Sequence, residues 1–462
     1  MKQRTLYRVM HKYDVLAFRC SPWLSSLLLS LLLILTSCSS PSPSSSSHAA
    51  GTPQASSGCS VPGKTHVASA LANTPSAQGS WPLFHGDLSR DGAGVGGNGT
   101  GLLTLAWTYC TGGPIFSSPI AQNGIVYTAS TDKTLSALDI RTGNMVWRFR
   151  GESPFYSTPA LQDGVLYAAG IDGFLYALDA ATGRMRWQSK LGTPGARLWS
   201  SPAVAAGLVL IGLASPLNEQ PKIAGQLEAF DTQTGKLRWQ VWTLANDAPG
   251  GGIWSSPALD LLHSVVYVAT GDPDDGVQAL RLQDGHLLWH WRSVVQDVAD
   301  TDIGAGPILY HDQQGKLRVV AGGKDGFLYS LDAQTGQVIW REQVGNQVFS
   351  SPAFAQGTLY AVGSVGRSAV SRALSAQTGV TNWQHPIAAI VYASPALAGQ
   401  TLYLALGDAF GAGVGGIEVV NARNGQLLQF ANVHSPTSSS PAVLAGWLFV
   451  GAQNGNLYAF TR

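Results

Sequence analysis

One pattern constrains this chain more than any other: the eleven-residue run Ala-x-Asp-x-x-Thr-Gly-x-x-x-Trp recurs along its length. It stands as Ala137 to Trp147, Ala177 to Trp187 and Ala229 to Trp239, with weaker copies from Ala279 to Trp289, Ser330 to Trp340 and Ala373 to Trp383. A seventh copy, Val419 to Gln429, has glutamine where the tryptophan belongs. Each copy reads as a strand, a tight turn at Thr-Gly and a second strand ending on a large aromatic. Such a unit cannot bury its apolar faces alone and must stack on its neighbours, which restricts the chain to arrays and rings.

A second marker, Ser-Ser-Pro or a variant, precedes each unit. Its prolines are Pro119, Pro159, Pro202, Pro257, Pro307, Pro352, Pro395 and Pro441, spaced 40 to 55 residues apart. That spacing accommodates four short strands per unit. A proline at the first residue of a strand forfeits no interior ladder hydrogen bond. Eight marked starts face seven complete Thr-Gly units, and the last, Pro441 to Phe460, stops after three strands. Leu102 to Trp107 is expected to supply the missing strand, closing the ring and removing an open edge. The prediction is an all-β fold, an eight-bladed β-propeller of four-stranded antiparallel blades over residues 81–462, its last blade closed by the N-terminal strand. The 54 glycines and 14 tryptophans agree with many tight turns and many buried aromatics.

Only 12% of residues are charged and the formal net charge is +1. That balance leaves no electrostatic footprint for nucleic acid. A monomer is expected.

The N-terminus reads as an export signal. Lys2, Arg4, Arg8, Lys12 and Arg19 precede an apolar run from Trp23 to Leu35, which is short for a membrane span. Leu35-Thr36-Ser37-Cys38 resembles a bacterial lipoprotein cleavage box. The resemblance implies a signal peptide over residues 1–37 and a lipidated Cys38 as the only anchor to a bacterial membrane. An ordinary signal peptide with a chance cysteine is the alternative, and Met10 is a second possible start. Residues 38–80, rich in Ser, Pro and Gly, read as a disordered tether. Cys59 and Cys110 would be able to pair in an oxidising compartment. No Cys-x-x-Cys is present, so neither a thiolate zinc site nor a c-type haem is expected.

Three residues before each marker proline stand Phe116, Tyr156, Trp199, Trp254, Gly304, Phe349, Tyr392 and Ser438. Six of the eight are aromatic, which predicts a collar around one channel mouth; packing between blades is the alternative. The fifth blade departs from the pattern. It begins Asp297-Val-Ala-Asp300-Thr-Asp302-Ile-Gly-Ala-Gly-Pro307, with glycine for the aromatic and three added carboxylates. Such acids suit a cation or a general base, or serve as turn caps.

The Ala-x-Asp-x-x-Thr-Gly-x-x-x-Trp units resemble the tryptophan-docking motif of the quinoprotein dehydrogenases and their PQQ-like propeller relatives. The resemblance covers Trp81 to Arg462. It implies the fold strongly and the activity weakly, because the family also includes non-catalytic assembly lipoproteins and sensor domains. It further implies pyrroloquinoline quinone (PQQ) and calcium as candidate cofactors. Trp254, in Ile253-Trp254-Ser-Ser-Pro, resembles the floor beneath the quinone. Asp272, in Thr270-Gly271-Asp272-Pro273, resembles the calcium-ligand turn with the usual amide replaced. Glu219 and Asp302 are further candidate calcium ligands. Asp300 falls where a catalytic base is expected, and Lys324, in Gly323-Lys324-Asp325-Gly326, matches a quinone-contacting lysine. The adjacent cysteine pair that covers the quinone in many relatives is missing, for no Cys-Cys occurs. Two functions follow. One is a binding or assembly scaffold that takes protein, peptide or glycan at the channel mouth over a vestigial quinone site. The other is a PQQ- and calcium-dependent dehydrogenase acting on a small alcohol.

Overall fold

The computed structural model describes residues 62–63, 65–67, 79–94, 102–192, 198–215, 222–293, 302–407 and 415–462. The leader, Cys38 and Cys59 lie outside the described residues, as do Glu219 and Asp300. The described residues form eight sheets, and in each the strands of the blade run antiparallel from an inner strand to an outer one. The inner strands of blades 1 to 8 are Ile120–Gln122, Ala160–Gln162, Ala203–Ala205, Ala258–Asp260, Ile308–His311, Ala353–Ala355, Ala396–Ala398 and Ala442–Leu444. Blade 8 has three strands of its own and takes its fourth from the N-terminal side, as expected. The closing strand is Thr104–Cys110, three residues further than the predicted end at Trp107, and it pairs antiparallel with Asn456–Thr461. Thr65–Val67, within the span read as tether, adds a fifth strand outside it. Cys110, at the end of the closing strand, is disulfide-bonded.

Each element of the repeat has a mechanical role. The aspartate carboxylate caps the turn: Asp179 Oδ1 accepts from the Thr182 N–H at 3.0 Å and from its hydroxyl at 2.8 Å. The alanine pairs with the tryptophan across the outer strands, as in Ala177↔Trp187, beside a bulge that turns the indole outward. That indole docks on the next blade. Trp147 donates its Nε1–H to Ala180 O at 2.9 Å, and its ring lies on Gly183. A Cβ at Gly183 would stand 2.6 Å from the indole, and the residue has φ +70°, so glycine is required twice over. Tryptophans 107, 187, 239, 289, 340 and 383 dock in the same way, with Nε1–O distances of 2.8–3.1 Å. At the remaining junction Gln429 accepts from the Leu103 N–H at 2.6 Å and donates to Leu103 O at 3.0 Å.

The segment 79–94, here termed the strap, crosses one end of the propeller. Ser80–Trp81 pairs with the inner strand of blade 1, and Ala93–Gly94 runs parallel to that of blade 7. Between them, carbonyls of Pro82, Leu88, Ser89 and Asp91 accept inner-strand N–H groups of blades 2, 4, 5 and 6 at 2.7–2.9 Å. Arg90 is buried, and its guanidinium donates to Phe84 O, Pro257 O and Pro202 O. His85 bridges Arg90 O and Pro395 O, at 2.5 and 2.8 Å. The strap therefore ties blades on every side to one short segment and occupies the channel at that end.

Candidate functional site: the channel mouth

The strap leaves a cup of about 200 Å³ on the axis, with Phe84 among its lining residues. The marker serines form its wall. Ser118 N donates to Thr158 Oγ1, Thr158 N to Ser201 Oγ and Ser201 N to Ser256 Oγ, at 2.9–3.1 Å. Beyond blade 5 the chain of bonds resumes from Ser351 N to Ser394 Oγ, on to Ser440 Oγ and back to Ser118 Oγ, at 2.9–3.0 Å. The interruption falls at blade 5, where Gly306 has no hydroxyl. The Ser-Ser-Pro marker is thus a blade-to-blade belt around the axis.

Above the belt stands the predicted collar, and its eight positions all line the cup. Phe116 stacks on Tyr156 at 5.2 Å, Tyr156 meets Trp199 edge-on at 5.1 Å, and Trp199 meets Trp254 at 6.1 Å. Phe349 stacks on Tyr392 at 4.7 Å. The rings line the channel mouth, as the collar requires, and at the same time stack on rings of the neighbouring blades. The collar is open at Gly304 and at Ser438.

At the Gly304 opening the structure brings together four residues singled out from sequence. Asp302 Oδ1 accepts from the Asp272 N–H at 2.6 Å, and Asp302 Oδ2 pairs with the Lys324 ammonium. Their backbones are tied too, Lys324 N donating to Asp302 O at 2.9 Å. Gly271 is wedged against Asp302, since a Cβ there would fall 2.5 Å from Oδ1 and 3.2 Å from Trp254 Nε1. Asp272, Asp275 and Asp302 each offer an oxygen within 4.8 Å of the others. Hard carboxylate oxygens so placed suit Ca²⁺.

Two contributors escaped the sequence reading. Asp275 was not separated from its neighbours in the turn Asp272-Pro-Asp-Asp-Gly276. Asp274, fully buried behind it, anchors that turn. Its Oδ2 accepts from Thr270 Oγ1 at 2.7 Å and Gln278 Nε2 at 3.1 Å, and its Oδ1 from Arg292 at 2.9 Å and His290 at 3.0 Å. Burial works to raise the Asp274 carboxyl, but the bonds from His290 and Thr270 hold it below the ordinary range. Three acids in five residues was the signal available.

A family model described as outer membrane protein assembly factor BamB matches residues 91–248, 157–291 and 273–462. The chain belongs to this family of PQQ-like propeller repeats. Among individual relatives, BamB of Yersinia pestis is 27% identical over 271 residues, which is 57% of this chain and 61% of that protein. A polyvinylalcohol dehydrogenase of a Pseudomonas species is 27% identical over 199 residues, 33% of this chain and 31% of the other. The dehydrogenase subunit of a quinone-type alcohol dehydrogenase of Acetobacter aceti is 26% identical over 186 residues, 29% and 25% of the respective lengths. The chain therefore spans under a third of either dehydrogenase. Among solved structures, quinohemoprotein alcohol dehydrogenase ADHIIG of Pseudomonas putida HK5 superposes with TM-score 0.72 at 17% identity, over 83% of this chain and 80% of that one. BamB of Moraxella catarrhalis gives 0.62 at 18% identity, over 78% and 100%. At these identities the likeness to both is one of fold.

Proposed function

We propose that the protein is an extracytoplasmic propeller, anchored through Cys38, whose mouth binds a divalent cation and a quinone of the PQQ type and oxidises an alcohol. The observation that carries this reading is the convergence of Asp272, Asp302 and Lys324 at the opening beside Trp254. The donor set fits the cation. Three carboxylates and one ammonium sum to about −2, so a divalent ion neutralises the cluster. The quinone fits conditionally: an anionic ring system meets a net negative site until the cation is present. Trp254 would lie beneath it, and Lys324 would face its carboxylates.

A bound quinone would supply the two-electron acceptor. The chain's own contribution is positional. Asp302 is fixed by Lys324 and the Asp272 N–H, and each of its oxygens keeps a second lone pair with which to accept an alcohol proton. Asp300, the base that the resemblance implies, lies outside the described residues; Asp302 is a second candidate for the same role.

The test is a titration of tryptophan fluorescence with PQQ, with and without Ca²⁺. Saturable quenching is expected only when Ca²⁺ is present, because the cation must neutralise the aspartates first. Equal quenching in chelator, or none at micromolar PQQ with Ca²⁺, removes this reading. A second reading, a protein-binding scaffold, is favoured by the longer match to the BamB of Yersinia pestis. It predicts no response to PQQ under either condition.

A further inference from the structure

The outer strands carry an apolar pattern that neither the mouth nor the tryptophan clasps use. Each inner strand starts at the mouth, so in an antiparallel blade the outer strand starts at the opposite end, just after the Thr-Gly turn. All but three of the exposed large apolar side chains among the described residues stand at that opposite end. The three are Trp242, Val365 and Phe430. Every blade contributes at least one of the others, at or beside the start of its outer strand. Several contribute two in succession, as Met145-Val146 in blade 1 and Leu287-Leu288 in blade 4. Successive side chains of a strand point to opposite faces of the sheet, so packing on a neighbouring blade accounts for at most one of each pair. Leu262, in the hairpin after the inner strand of blade 4, is 83% exposed at the same end.

Toward the mouth the same strands turn polar. Met145-Val146 is followed by Arg148 and Arg150, and Leu287-Leu288 by His290 and Arg292. Charge normally protects a water-facing edge strand, and here it is confined to the half nearer the mouth. The apolar halves, present on all eight blades, trace a circuit around the axis. Exposed apolar surface of that extent marks an interaction face. A protein partner would cover one sector of such a circuit, whereas a plane meets all of it at once.

Cations lie on the same circuit. Arg141, Arg184, Lys236 and Arg423 are exposed in the Thr-Gly turns and make no ion pair among the described residues. Arg184 and Lys236 directly precede Met185 and Leu237. The carboxylates there are largely spent. Those of Asp139, Asp179, Asp231 and Asp332 cap the turns, and Asp284 pairs with Arg281.

We propose that the end opposite the mouth rests on an anionic lipid surface. Its aliphatic side chains enter the headgroup boundary and its turn cations face lipid phosphates. The mouth then opens away from the membrane, toward soluble ligands. This rests on the proposed Cys38 anchor only for delivery: residues 38–61 span at most about 80 Å when fully extended, which keeps the surface within reach.

The experiment places a nitrobenzoxadiazole dye on the full chain, at Leu262→Cys or, at the mouth end, at Arg367→Cys. Each protein is mixed with nitroxide-labelled phosphatidylcholine vesicles, with and without phosphatidylglycerol. On phosphatidylglycerol vesicles, quenching is expected to be at least about threefold stronger at 262 than at 367. Combining Arg141→Glu, Arg184→Glu, Lys236→Glu and Arg423→Glu is expected to demand at least about tenfold more lipid for the same quenching, at an unchanged melting temperature. Equal quenching at the two positions, stronger quenching at 367, or an unchanged lipid requirement in the charge variant overturns the proposal. Quenching at neither position at millimolar lipid also overturns it and leaves the circuit to a protein partner. Co-flotation with phosphatidylcholine alone reports the anchor separately. A chain that floats there and is never quenched at 262 keeps its anchor and loses this inference, and one quenched at 262 that fails to float there loses only the anchor.

Discussion

The rim of the propeller and its fifth sector obey opposite rules. Around the rim, junction after junction repeats one clasp, an indole over a glycine with its N–H on a carbonyl of the next blade. At the mouth of blade 5 nearly every repeated feature is lost at once. The aromatic becomes Gly304, the belt serine becomes Gly306, and Asp302 and Lys324 appear beside the gap. Repetition at the rim serves a packing requirement common to all blades. A departure concentrated in one sector has no such common cause, and it is there that the polar side chains converge.

The largest expected effect breaks the fifth sector alone. With PQQ and Ca²⁺ present, Asp302→Asn is expected to lower alcohol-dependent dye reduction about 10²- to 10⁴-fold, the range for loss of a general base. The melting temperature should hardly move. Retained dye reduction would free Asp302 from that role. The complementary change strikes the rim. Trp147 is buried and clasps blade 1 to blade 2. Trp147→Ala is expected to cost about 3–5 kcal/mol in denaturant unfolding, as other large aromatic truncations do. PQQ quenching in the folded variant should stay unchanged. If both variants lose stability and ligand together, the rim and the fifth sector are not separable.

This contrast also decides what was legible in the sequence. Blade number, strand order and closure followed from the spacing of Thr-Gly turns and marker prolines, because each is a local steric demand repeated many times. The collar was legible for the same reason: one offset from eight prolines places six aromatics on one ring. The strap was not. Trp81 to Gly94 occurs once, and its role depends on inner strands of six blades that only the closed ring brings together. Asp274 was missed because its partners His290 and Arg292 come from the strand that pairs with the one its turn leads into, and adjacency in sequence gives no sign of them. Asp302 was recognised only as a possible ligand, since its contacts to Asp272 and Lys324 span 30 and 22 residues.

A smaller change sharpens the boundary between scaffold and site. Asp274 belongs structurally to blade 4 yet holds the turn that presents Asp272 and Asp275. Asp274→Asn is expected to weaken Ca²⁺ binding about 10- to 100-fold, as loss of an outer-shell partner does, with little effect on the fold. Isothermal titration with Ca²⁺ measures it. Unchanged affinity would mean that the turn holds its shape without the Arg292 and His290 bonds.

The smallest effect is expected at the strap, the one segment touching both systems. Burial, with Asp87 adding a like charge, pushes the Asp91 carboxyl up to about 7, against a favourable bond from the Ala93 N–H. The folded protein therefore holds a proton that the unfolded chain releases above about pH 4. Stability contributed by the strap should fall as pH rises from about 4 to 7 and level off beyond. Glu228, buried and also raised to about 7, acts in the same direction from blade 3. Asp91→Asn should thus flatten part of the pH dependence of melting and leave the rest to Glu228. The local readout is hydrogen exchange at the Phe354 and Leu397 amides, which donate to Asp91 O and Gly92 O. Corrected for intrinsic rate, their protection should be lower at pH 8 than at pH 5 in the wild type and nearly equal in the variant. Protection that is the same at both pH values in the wild type would show that the carboxyl is relieved of its charge by solvent, and that the strap does not loosen with pH.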